Sequence, residues 1–402
     1  MGAAGGREVW ITGAGLISSL GEGLDAHWAA LQGVQVPLID AETIAPYTIH
    51  PMAAIDLDRQ IAKKSDQRQM EPWQRYGVYA AGAALEDAGV KGRPELLDET
   101  QIIVAAGGGE RDVAVDATVL QELARSGDEG RTLNERLMGD LRPTLFLAQL
   151  SNLLAGNIAI VHGVVGASRT FMGEEAAGFD ALRVARARIA AGQGRRFLVG
   201  GSFSAQRWDL ALLFELGGHA RKGGFASVGA RGDDDGAGFH MGSMGAFVVV
   251  EEAGEARLRG RAPVAALSHV ASDRSTRVPG SVHQSLGRLW SGLADRLKPG
   301  RFAVLSCATG ATGVTAEEFG ALRDLAPGAP VRAVGNVVGH GVEAQFPAAV
   351  LLGAMAVRHG RLFPPMADDA SERPHEGPIE QVVVTGVGHW RGEGIALVER
   401  AG

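Results

Sequence analysis

Short apolar segments alternate with longer segments of helical periodicity along most of this chain. The segments typical of buried strands are EVWITGAG, QIIVAAGGG, NIAIVHG, RFLVGGSF, GAFVVVEE, FAVLSCATG and VVVTGVG, and helical patterns lie near residues 24–31, 73–88, 144–154, 316–325 and 346–359. Such alternation predicts an α/β fold. Because several of the strands are almost entirely apolar, we expect helices to cover both faces of the sheet.

Two features of the sequence indicate a chain built from two halves. A charged break, EEAGEARLRGRAP, separates apolar runs after Val250, and VLSCATG with its following helix resembles IVAAGGG earlier in the chain. We therefore predict an N-terminal half over residues 1–253 and a C-terminal half over residues 254–402.

Charge and cysteine content exclude several classes of protein. The formal net charge is −7, which disfavours nucleic acid as a partner, because such binding depends on Lys and Arg side chains that neutralise phosphates. The single cysteine, Cys307, rules out an internal disulfide framework and suits a reducing compartment. No apolar run approaches the roughly 18 residues of a membrane span, and MGAAGGREVWITGAG lacks the features of a signal peptide. We expect a soluble cytoplasmic protein.

The segment RTFMGEEAAGFDALRVARARIAA joins an extended stretch to a helix through small residues. A turn of this kind presents a side chain at the N-terminus of the helix, and here Glu174 and Glu175 stand at that place. The helix dipole favours a carboxylate there by about 0.3–1 kcal/mol. The pattern therefore predicts a fixed negative charge at a turn built like those that present a nucleophile.

Other motifs carry weaker signals. VWITGAGLISS offers Gly13 and Gly15 of a dinucleotide-binding fingerprint, but Ser18 replaces the third glycine, which favours a structural turn. The run GDDDG lacks the ligand spacing of a calcium loop, and the histidines lack metal-ligand spacing, so we predict no metal. His340 lies between glycines in GNVVGHGVEAQF, and the sequence leaves both a catalytic and a structural role open.

In order and spacing, several segments resemble those of the β-ketoacyl-acyl-carrier-protein synthases of the thiolase-like superfamily. They extend over nearly the whole chain and are VWITGAGLISSLGEG, DQRQMEPWQRYGVYAAGAALEDAGV, LLAGNIAIVHGVVGAS, ARARIAAGQGRRFLVGGSF, GAGFHMGSMGAFVVVEEAGEARLRGR and GNVVGHGVEA. The resemblance implies a five-layered α/β/α/β/α fold of two similar halves that works as a dimer. It also implies a reaction without a cofactor, in which an acyl chain is transferred to a cysteine and joined to the product of malonyl-carrier decarboxylation.

The same resemblance implies that most catalytic residues of the family are replaced. The cysteine nucleophile is expected at Glu175, the first catalytic histidine at Ala308 and the lysine at Gly335; the second histidine remains, as His340. Cys307 lies beside the lost histidine and does not replace the nucleophile. Claisen condensation needs a thiolate that holds the acyl chain as a thioester and paired imidazoles that stabilise an enolate. We therefore expect no condensation by this chain alone.

Further site residues follow from the resemblance. The gating loop of the family corresponds to VGHWRGEG, which places Gly388 and His389 at the gate. The helix predicted over 144–154 has a counterpart close to the dimer interface of the family. We therefore expect Phe146 or Leu147 to help close the acyl pocket of a partner subunit.

The resemblance also implies a docking site for acyl carrier protein. In the family a basic stretch at the start of the QRQME helix meets the acidic carrier, and Lys63, Lys64 and Arg68 remain there. Ser65 and Gln69 stand where two lysines would be expected. Because some attraction should survive at low salt, we expect weak binding of the carrier to the isolated chain.

Three functions are compatible with these residues. The first is a non-condensing partner, resembling the chain-length factors of two-subunit ketosynthases, in fatty acid synthesis, including that of very long chains, or in polyketide-type synthesis. It would form a heterodimer with a cysteine-bearing ketosynthase, or a homodimer. The second is an acyltransferase or malonyl-carrier decarboxylase with altered chemistry that uses Glu175 and His340, although Ala308 counts against decarboxylation. The third is an acyl-binding protein without a partner synthase.

Overall fold

The computed structural model describes residues 6–33, 38–143, 145–231, 238–367, 369 and 371–402. Its strands are β1 (Val9–Ser18), β2 (Gly21–Glu22), β3 (Thr100–Ala105), β4 (Ser168–Phe171), β5 (Arg196–Phe203), β6 (Met244–Glu252), β7 (Ala265–Asp273), β8 (Phe302–Ser306), β9 (Val331–Ala333), β10 (Gln381–Val387) and β11 (Glu393–Glu399). Its helices are α1 (Gly23–Gln32), α2 (Lys64–Gln69), α3 (Pro72–Asp87), α4 (Pro94–Leu97), α5 (Val113–Leu123), α6 (Glu129–Asp140), α7 (Leu145–Ala148), α8 (Leu153–His162), α9 (Glu175–Ala190), α10 (Trp208–Leu216), α11 (Ala253–Leu258), α12 (Ser281–Ser291), α13 (Val314–Leu325), α14 (Gly335–Val338) and α15 (Gln345–His359). The predicted α/β class is confirmed. Within the described ranges, none of the helices is both long and apolar enough to cross a bilayer.

The strand order repeats within the sheet. The strands follow one another as β4-β3-β5-β6-β1-β7-β11-β10-β8-β9, and β2 pairs with β1. In the first half, β3 is parallel to β4 and β5, while β6 is antiparallel to β5 and β1. In the second half, β8 is parallel to β9 and β10, while β11 is antiparallel to β10 and β7. Apart from the short β2, the two half-sheets therefore have the same topology.

The two half-sheets are joined where β1 meets β7. Trp10 pairs there with Ala266, and Ile11 pairs with Ala265. The connection from β6 to β7 along the chain contains the short helix α11. Because the repeated topology begins again after this helix, we propose that the boundary between the halves lies near Gly254.

Helices form three layers around the two half-sheets. On one side, α3 and α8 pack against the first half-sheet in a core that includes Leu154. On the other side, α12 and α13 pack against the second half-sheet in a core that includes Leu322. Helices α9 and α15 share a core with strands of both half-sheets, and the rings of Phe179 and Phe346 meet edge to face with centroids 5.5 Å apart. The predicted five-layered arrangement is confirmed.

Two sequence predictions in residues 144–163 are wrong. NIAIVHG does not form a strand but lies at the end of α8, and the helix predicted over 144–154 is divided between α7 and α8. Its first residue, Thr144, lies outside the described residues. A short apolar run does not by itself distinguish a strand from a buried helix. In α8 the buried side chains recur at helical spacing and include Leu154, Ile158 and His162.

Candidate functional site

Glu175 is the first residue of α9 and follows β4 after a sharp turn. Gly173 has φ 142° and Glu174 has φ 52°. For Glu174, which has a Cβ, such a backbone conformation costs of order 1–3 kcal/mol. The turn directs Glu175 into the interior, where the residue is 4% exposed. The predicted position of Glu175 at a helix N-terminus is confirmed.

Glu175 binds two imidazoles through one carboxylate oxygen. Nε2 of His340 and Nδ1 of His389 each lie 2.7 Å from Oε1 of Glu175. The backbone N–H of His389 donates to the same oxygen at 3.3 Å. Glu175 and His340, to which the resemblance gives the nucleophile and second-histidine positions of one site, are therefore in contact, and the predicted gate residue His389 joins them. The chemical roles of the three side chains stay predictions.

Both halves of the fold contribute to this cluster from equivalent places. Glu175 follows β4, the third strand of the first half along the chain when β2 is left out, and His340 follows β9, the third strand of the second half. His389 follows β10, the neighbour of β8 in the second half-sheet. In α/β folds, functional groups gather outside the carboxyl ends of parallel strands. The repeated topology thus brings three segments that are distant in sequence to one point.

The three side chains form a buried ion pair with a neutral imidazole beside it. Burial alone would raise the pKa of Glu175, but the charge of His389 and the hydrogen bonds from both imidazoles hold this pKa well below its usual range. Burial works against protonation of His389, yet the charge of Glu175 raises the pKa of His389 above its usual value. Burial lowers the pKa of His340 despite its bond to Glu175. The carboxylate therefore pairs mainly with an imidazolium at position 389.

Two arginines hold the loop that carries His389. Arg277 donates to the carbonyl oxygen of Gly388 at 2.7 Å, and Arg391 donates to Glu174 at 3.1 Å. A Cβ at position 388 would lie 2.2 Å from the carbonyl oxygen of Arg391 and 3.1 Å from Oε2 of Glu175. Only glycine fits this close approach. Gly388 is thus part of the site, where it gives the loop room to pack on the N-terminus of α9.

Two cavities flank the cluster. A cavity of about 860 Å³ opens beside His389, and three arginines are among its lining residues, Arg274, Arg277 and Arg391. A smaller cavity of about 220 Å³ is lined by aromatic side chains together with Glu174, Arg207 and Glu343. The first cavity presents positive charge to solvent. The second places carboxylates beside the turn that precedes Glu175.

Sequence reasoning missed the carboxylate of Glu343. Its residue is 6% exposed, and burial, reinforced by the charge of Glu175, raises the pKa of Glu343 to about 7. A Cβ on Gly107 would lie 2.5 Å from its Oε1 atom, so a glycine makes room for it. A lone Glu in GHGVEAQF carries no signal of burial, because only the packing of the two halves encloses it.

Ala308 and Gly335, predicted to replace a catalytic histidine and lysine, lie close together. A Cβ on Gly335 would lie 3.5 Å from the carbonyl oxygen of Ala308, and Ala308 is 2% exposed.

A second carboxylate that sequence reasoning missed, Glu318, accepts hydrogen bonds from the hydroxyls of Ser306 and Thr385, both at 2.7 Å. Burial raises the pKa of Glu318 to about 7, although both hydroxyls oppose this.

The raised pKa of Glu318 predicts that stability falls as pH rises. In the unfolded chain this carboxyl loses its proton near its ordinary value of 4.5, whereas the folded state keeps the proton up to about pH 7. Between these values the unfolded state binds fewer protons, so the free energy of unfolding decreases by up to about 1.4 kcal/mol per pH unit. Replacing Glu318 by Gln removes this contribution. Between pH 4.5 and pH 7 the free energy of unfolding of the variant is expected to rise by about 3 kcal/mol relative to that of wild type.

Urea denaturation of both proteins at several pH values measures this difference. The exposed carboxylate Glu376 supplies a matched control, because Glu376→Gln should follow wild type across the range. A constant difference between wild type and Glu318→Gln from pH 4.5 to 7 would contradict the prediction.

The predicted pocket residues of α7 lie at the surface of the chain. Phe146 is 67% exposed and Leu147 is 44% exposed. Neither side chain lines the two cavities beside Glu175. Their predicted role in a partner's pocket stays a prediction.

The predicted carrier-docking residues lie at both ends of α2, Lys63 and Lys64 at its start and Arg68 in its last turn. Lys63, Lys64 and Arg68 are all exposed, and Lys64 pairs with Asp58 at 2.6 Å. This pair neutralises part of the positive charge that the sequence offers. The docking role stays a prediction.

Known proteins are similar to this chain in sequence and in fold. Residues 6–256 match the family model described as "Beta-ketoacyl synthase, N-terminal domain". The chain is 26% identical over 269 residues to 3-oxoacyl-[acyl-carrier-protein] synthase 2 of Vibrio cholerae serotype O1, which covers 63% of this chain and 60% of that protein. It is also 26% identical over 267 residues to the tetracenomycin polyketide synthase ketoacyl synthase beta subunit of Streptomyces glaucescens, covering 64% of this chain and 61% of that protein.

The chain thus matches about three fifths of the length of these relatives. Among solved structures, the ishigamide ketosynthase/chain length factor is similar with a TM-score of 0.79 and 20% sequence identity, over 99% of this chain and 100% of that chain. At this identity the similarity shows the fold. Because the family model covers more than half of the chain and the fold is that of the thiolase-like ketosynthases, this chain belongs to the β-ketoacyl synthase family.

Proposed function

We propose that this chain is a non-condensing, chain-length-factor-like subunit that acts with a cysteine-bearing ketosynthase in fatty acid or polyketide-type synthesis. The observation that carries the proposal is the carboxylate of Glu175 at the start of α9, bonded to two imidazoles at 2.7 Å each. In this proposal Glu175 occupies the nucleophile position of the family. The names of the relatives, which include an acyl-carrier-protein synthase and a beta subunit, give the metabolic context.

The bonding of Glu175 supports a chain that does not condense. An acyl group on a carboxylate would be an anhydride, which is far less stable than the thioester that condensation requires. Enolate formation needs imidazole donors aimed at the developing charge, yet both imidazoles of this site are already engaged by Glu175. The negative charge also repels a malonyl carboxylate. The site therefore lacks both the nucleophile and the free donors.

The smaller cavity supports the same conclusion. Glu174, Glu343 and Arg207 are among the side chains that line it. Polar and charged groups cost free energy when an apolar ligand removes their hydration. Apolar side chains line the rest of this cavity, but its volume of about 220 Å³ and its charged groups together disfavour a long acyl chain, and we expect the growing chain to lie in the partner subunit.

The edge of the first half-sheet offers a surface for the partner subunit. β4 ends the strand order, and its pairing within the described part of this chain is with β3 alone. Exposed apolar side chains lie in α8, which packs near β4, and in the segments that flank β4, namely Ile160, Val165 and Met172. An unpaired edge beside exposed apolar groups favours association. We expect an obligate-type dimer that buries roughly 2,000–5,000 Å² in total, in which Phe146 or Leu147 contacts the partner's acyl pocket.

Co-expression with a cysteine-bearing ketosynthase of the same organism tests the proposal. Native mass spectrometry is expected to detect a one-to-one complex, and product analysis is expected to give a changed acyl length or yield when this chain is present. If the ketosynthase makes products of the same length and yield with and without this chain, the proposal is wrong.

A matched pair of variants locates the interface. Ile160 is 77% exposed in α8, near the β4 edge, whereas Leu258 is 84% exposed in α11, on the connection between the halves. Ile160→Glu is expected to weaken the complex, because it places a charge in an apolar contact, and Leu258→Glu is expected to leave it intact. Equal effects of the two variants would place the contact elsewhere.

The alternative function, an acyltransferase or malonyl-carrier decarboxylase using Glu175 and His340, is tested by the same preparations. The isolated chain is expected to release no carbon dioxide from malonyl-carrier thioester, because Ala308 stands where the family has the first of its two catalytic histidines. Turnover by the isolated chain, with contaminating synthase excluded by mass spectrometry, would favour the alternative. Carrier binding without a partner synthase or turnover would favour an acyl-binding protein.

A further inference from the structure

We propose that Glu175, His340 and His389 form a binding site for one divalent transition-metal ion, and that Zn²⁺ is the ion it suits best. Each residue offers one ligand atom, and the three atoms lie within 4.8 Å of one another in the interior. They come from three segments that are far apart in the sequence. The absence of metal-ligand spacing along the chain therefore did not bear on this site.

The geometry of the cluster is close to that of a metal centre. In the present arrangement both ring nitrogens lie 2.7 Å from Oε1 of Glu175. A tetrahedral zinc ion with bonds of about 2.0–2.1 Å separates its ligand atoms by roughly 3.3 Å. The two nitrogen–oxygen distances therefore need to lengthen by roughly 0.6 Å. The two ring nitrogens, which lie within 4.8 Å of each other, need to reach about the same separation, and rotations of the side chains would supply both changes.

An unsatisfied oxygen points to a ligand that the protein itself does not provide. Oε2 of Glu175 is buried and has no hydrogen-bond partner among the described residues, and the side chain is 5% exposed. A buried polar atom without a partner is costly. A cation bound through Oε2, or through both oxygens of the carboxylate, would satisfy this atom, whereas the contacts with His340 and His389 use only Oε1.

The position of the proton on His340 favours neither the metal-bound nor the metal-free form of the site. Nδ1 of His340 is also buried without a partner among the described residues. Metal binding through Nε2 would place the proton on Nδ1, and the contact with Glu175 places it on Nε2. Nδ1 therefore lacks a partner in both forms, as an acceptor in the metal-free form and as an N–H donor in the metal-bound form.

The ligand set selects the class of metal. Two imidazoles and one carboxylate, with a further position open, are typical of zinc centres that bind an exchangeable ligand. Imidazole disfavours Mg²⁺ and Ca²⁺, which prefer oxygen ligands, and suits Zn²⁺ and Co²⁺.

The larger cavity reaches one ligand of the proposed site. This cavity of about 860 Å³ is lined by His389 and Glu317 together with three arginines, so it leaves room for a fourth ligand and its arginines would favour an anionic oxygen in that place. Gly388 keeps the space next to Oε2 free, because a Cβ there would lie 3.1 Å from that oxygen. The proposal is independent of the partner subunit, since all three ligands belong to one chain.

Cobalt titration of the untagged chain tests the site. Protein freed of metal with a chelator and dialysed is titrated with CoCl₂, and visible absorption reports tetrahedral or five-coordinate Co²⁺. One equivalent is expected to bind, ZnCl₂ is expected to displace it, and ZnCl₂ is expected to raise the melting temperature. Glu175→Gln keeps the shape of the side chain and should weaken binding by at least about 100-fold, more than the loss of an outer partner. His389→Ala should do the same.

The control is His283, which lies outside the cluster and pairs with Asp324 at 3.4 Å. His283→Ala should bind Co²⁺ as wild type does. Near-ultraviolet circular dichroism confirms that each variant is folded before titration. Failure of the folded wild type to show saturable Co²⁺ absorption, or equal binding by wild type and Glu175→Gln, would overturn the proposal and leave a metal-free ion pair.

Discussion

Replacing Glu175 by cysteine is expected to leave the isolated chain at least about 10²–10³-fold slower in condensation than a cysteine-bearing ketosynthase assayed in parallel. The variant supplies a thiol at the N-terminus of α9, where the helix dipole favours a thiolate. It does not supply the imidazole that is missing at Ala308, a residue enclosed at 2% exposure. Decarboxylation of the malonyl thioester would then develop negative charge without one of its two donors.

The measurement is product formation from acyl and malonyl carrier thioesters, followed by mass spectrometry. The double variant Glu175→Cys, Ala308→His is the matched comparison, because it restores the thiol and an imidazole together and should exceed the single variant. A single variant that condenses as fast as the reference ketosynthase would contradict the prediction. It would also show that the imidazoles of His340 and His389, both released from Glu175, provide enough stabilisation.

Truncating Glu251 to alanine is expected to lower the free energy of unfolding by about 3–5 kcal/mol. Glu251 lies on β6, and its side chain is 0% exposed. It pairs with Arg196 at 2.6 Å and with Arg259 at 2.7 Å, and the hydroxyl of Thr12 donates to it at 3.1 Å. Burial would raise the pKa of Glu251, but the two guanidinium groups lower it. The substitution leaves Arg196, which is 3% exposed, as a buried charge without its partner.

Urea denaturation followed by tryptophan fluorescence measures the loss. The control is Glu135, which pairs with Arg131 on the surface of α6, where the two side chains are 61% and 75% exposed. Such a pair contributes about 0.3–0.5 kcal/mol, so Glu135→Ala should change stability little. Similar losses from Glu251→Ala and Glu135→Ala would mean that the buried network contributes no more than a surface pair.

Helices on both faces of the sheet could be predicted, because burial on both faces leaves a direct mark on the sequence. The five-layered arrangement was implied by the family resemblance. β5 is buried along its whole length and β6 along all but its last residue, and α15 is buried from Gln345 to Val357. The same logic failed at NIAIVHG, which is also apolar. Its place in α8 depends on packing against α3, and a run of seven residues does not reveal this packing.

The site could be predicted only in part, for a related reason. The contact of Glu175 with His340 follows from the resemblance of two motifs to those of the family. The bond from His389 depends on the path of the loop after β10, and Arg277 fixes that path through the carbonyl oxygen of Gly388. Arg277 is more than a hundred residues away in the sequence, within VASDRSTRVPG, and no pattern there links it to this loop.

The open edge of β4 has a consequence for how the chain behaves in a cell. Backbone N–H and C=O groups along that edge can pair with the strand of any other protein, and an exposed edge beside apolar side chains is a template for aggregation. A partner that covers the edge would act as its chaperone. The amount of this chain that stays in solution should then follow the supply of the partner, and chain made in excess should be removed by precipitation or proteolysis. Balanced synthesis of the two chains would therefore be a requirement of the structure itself.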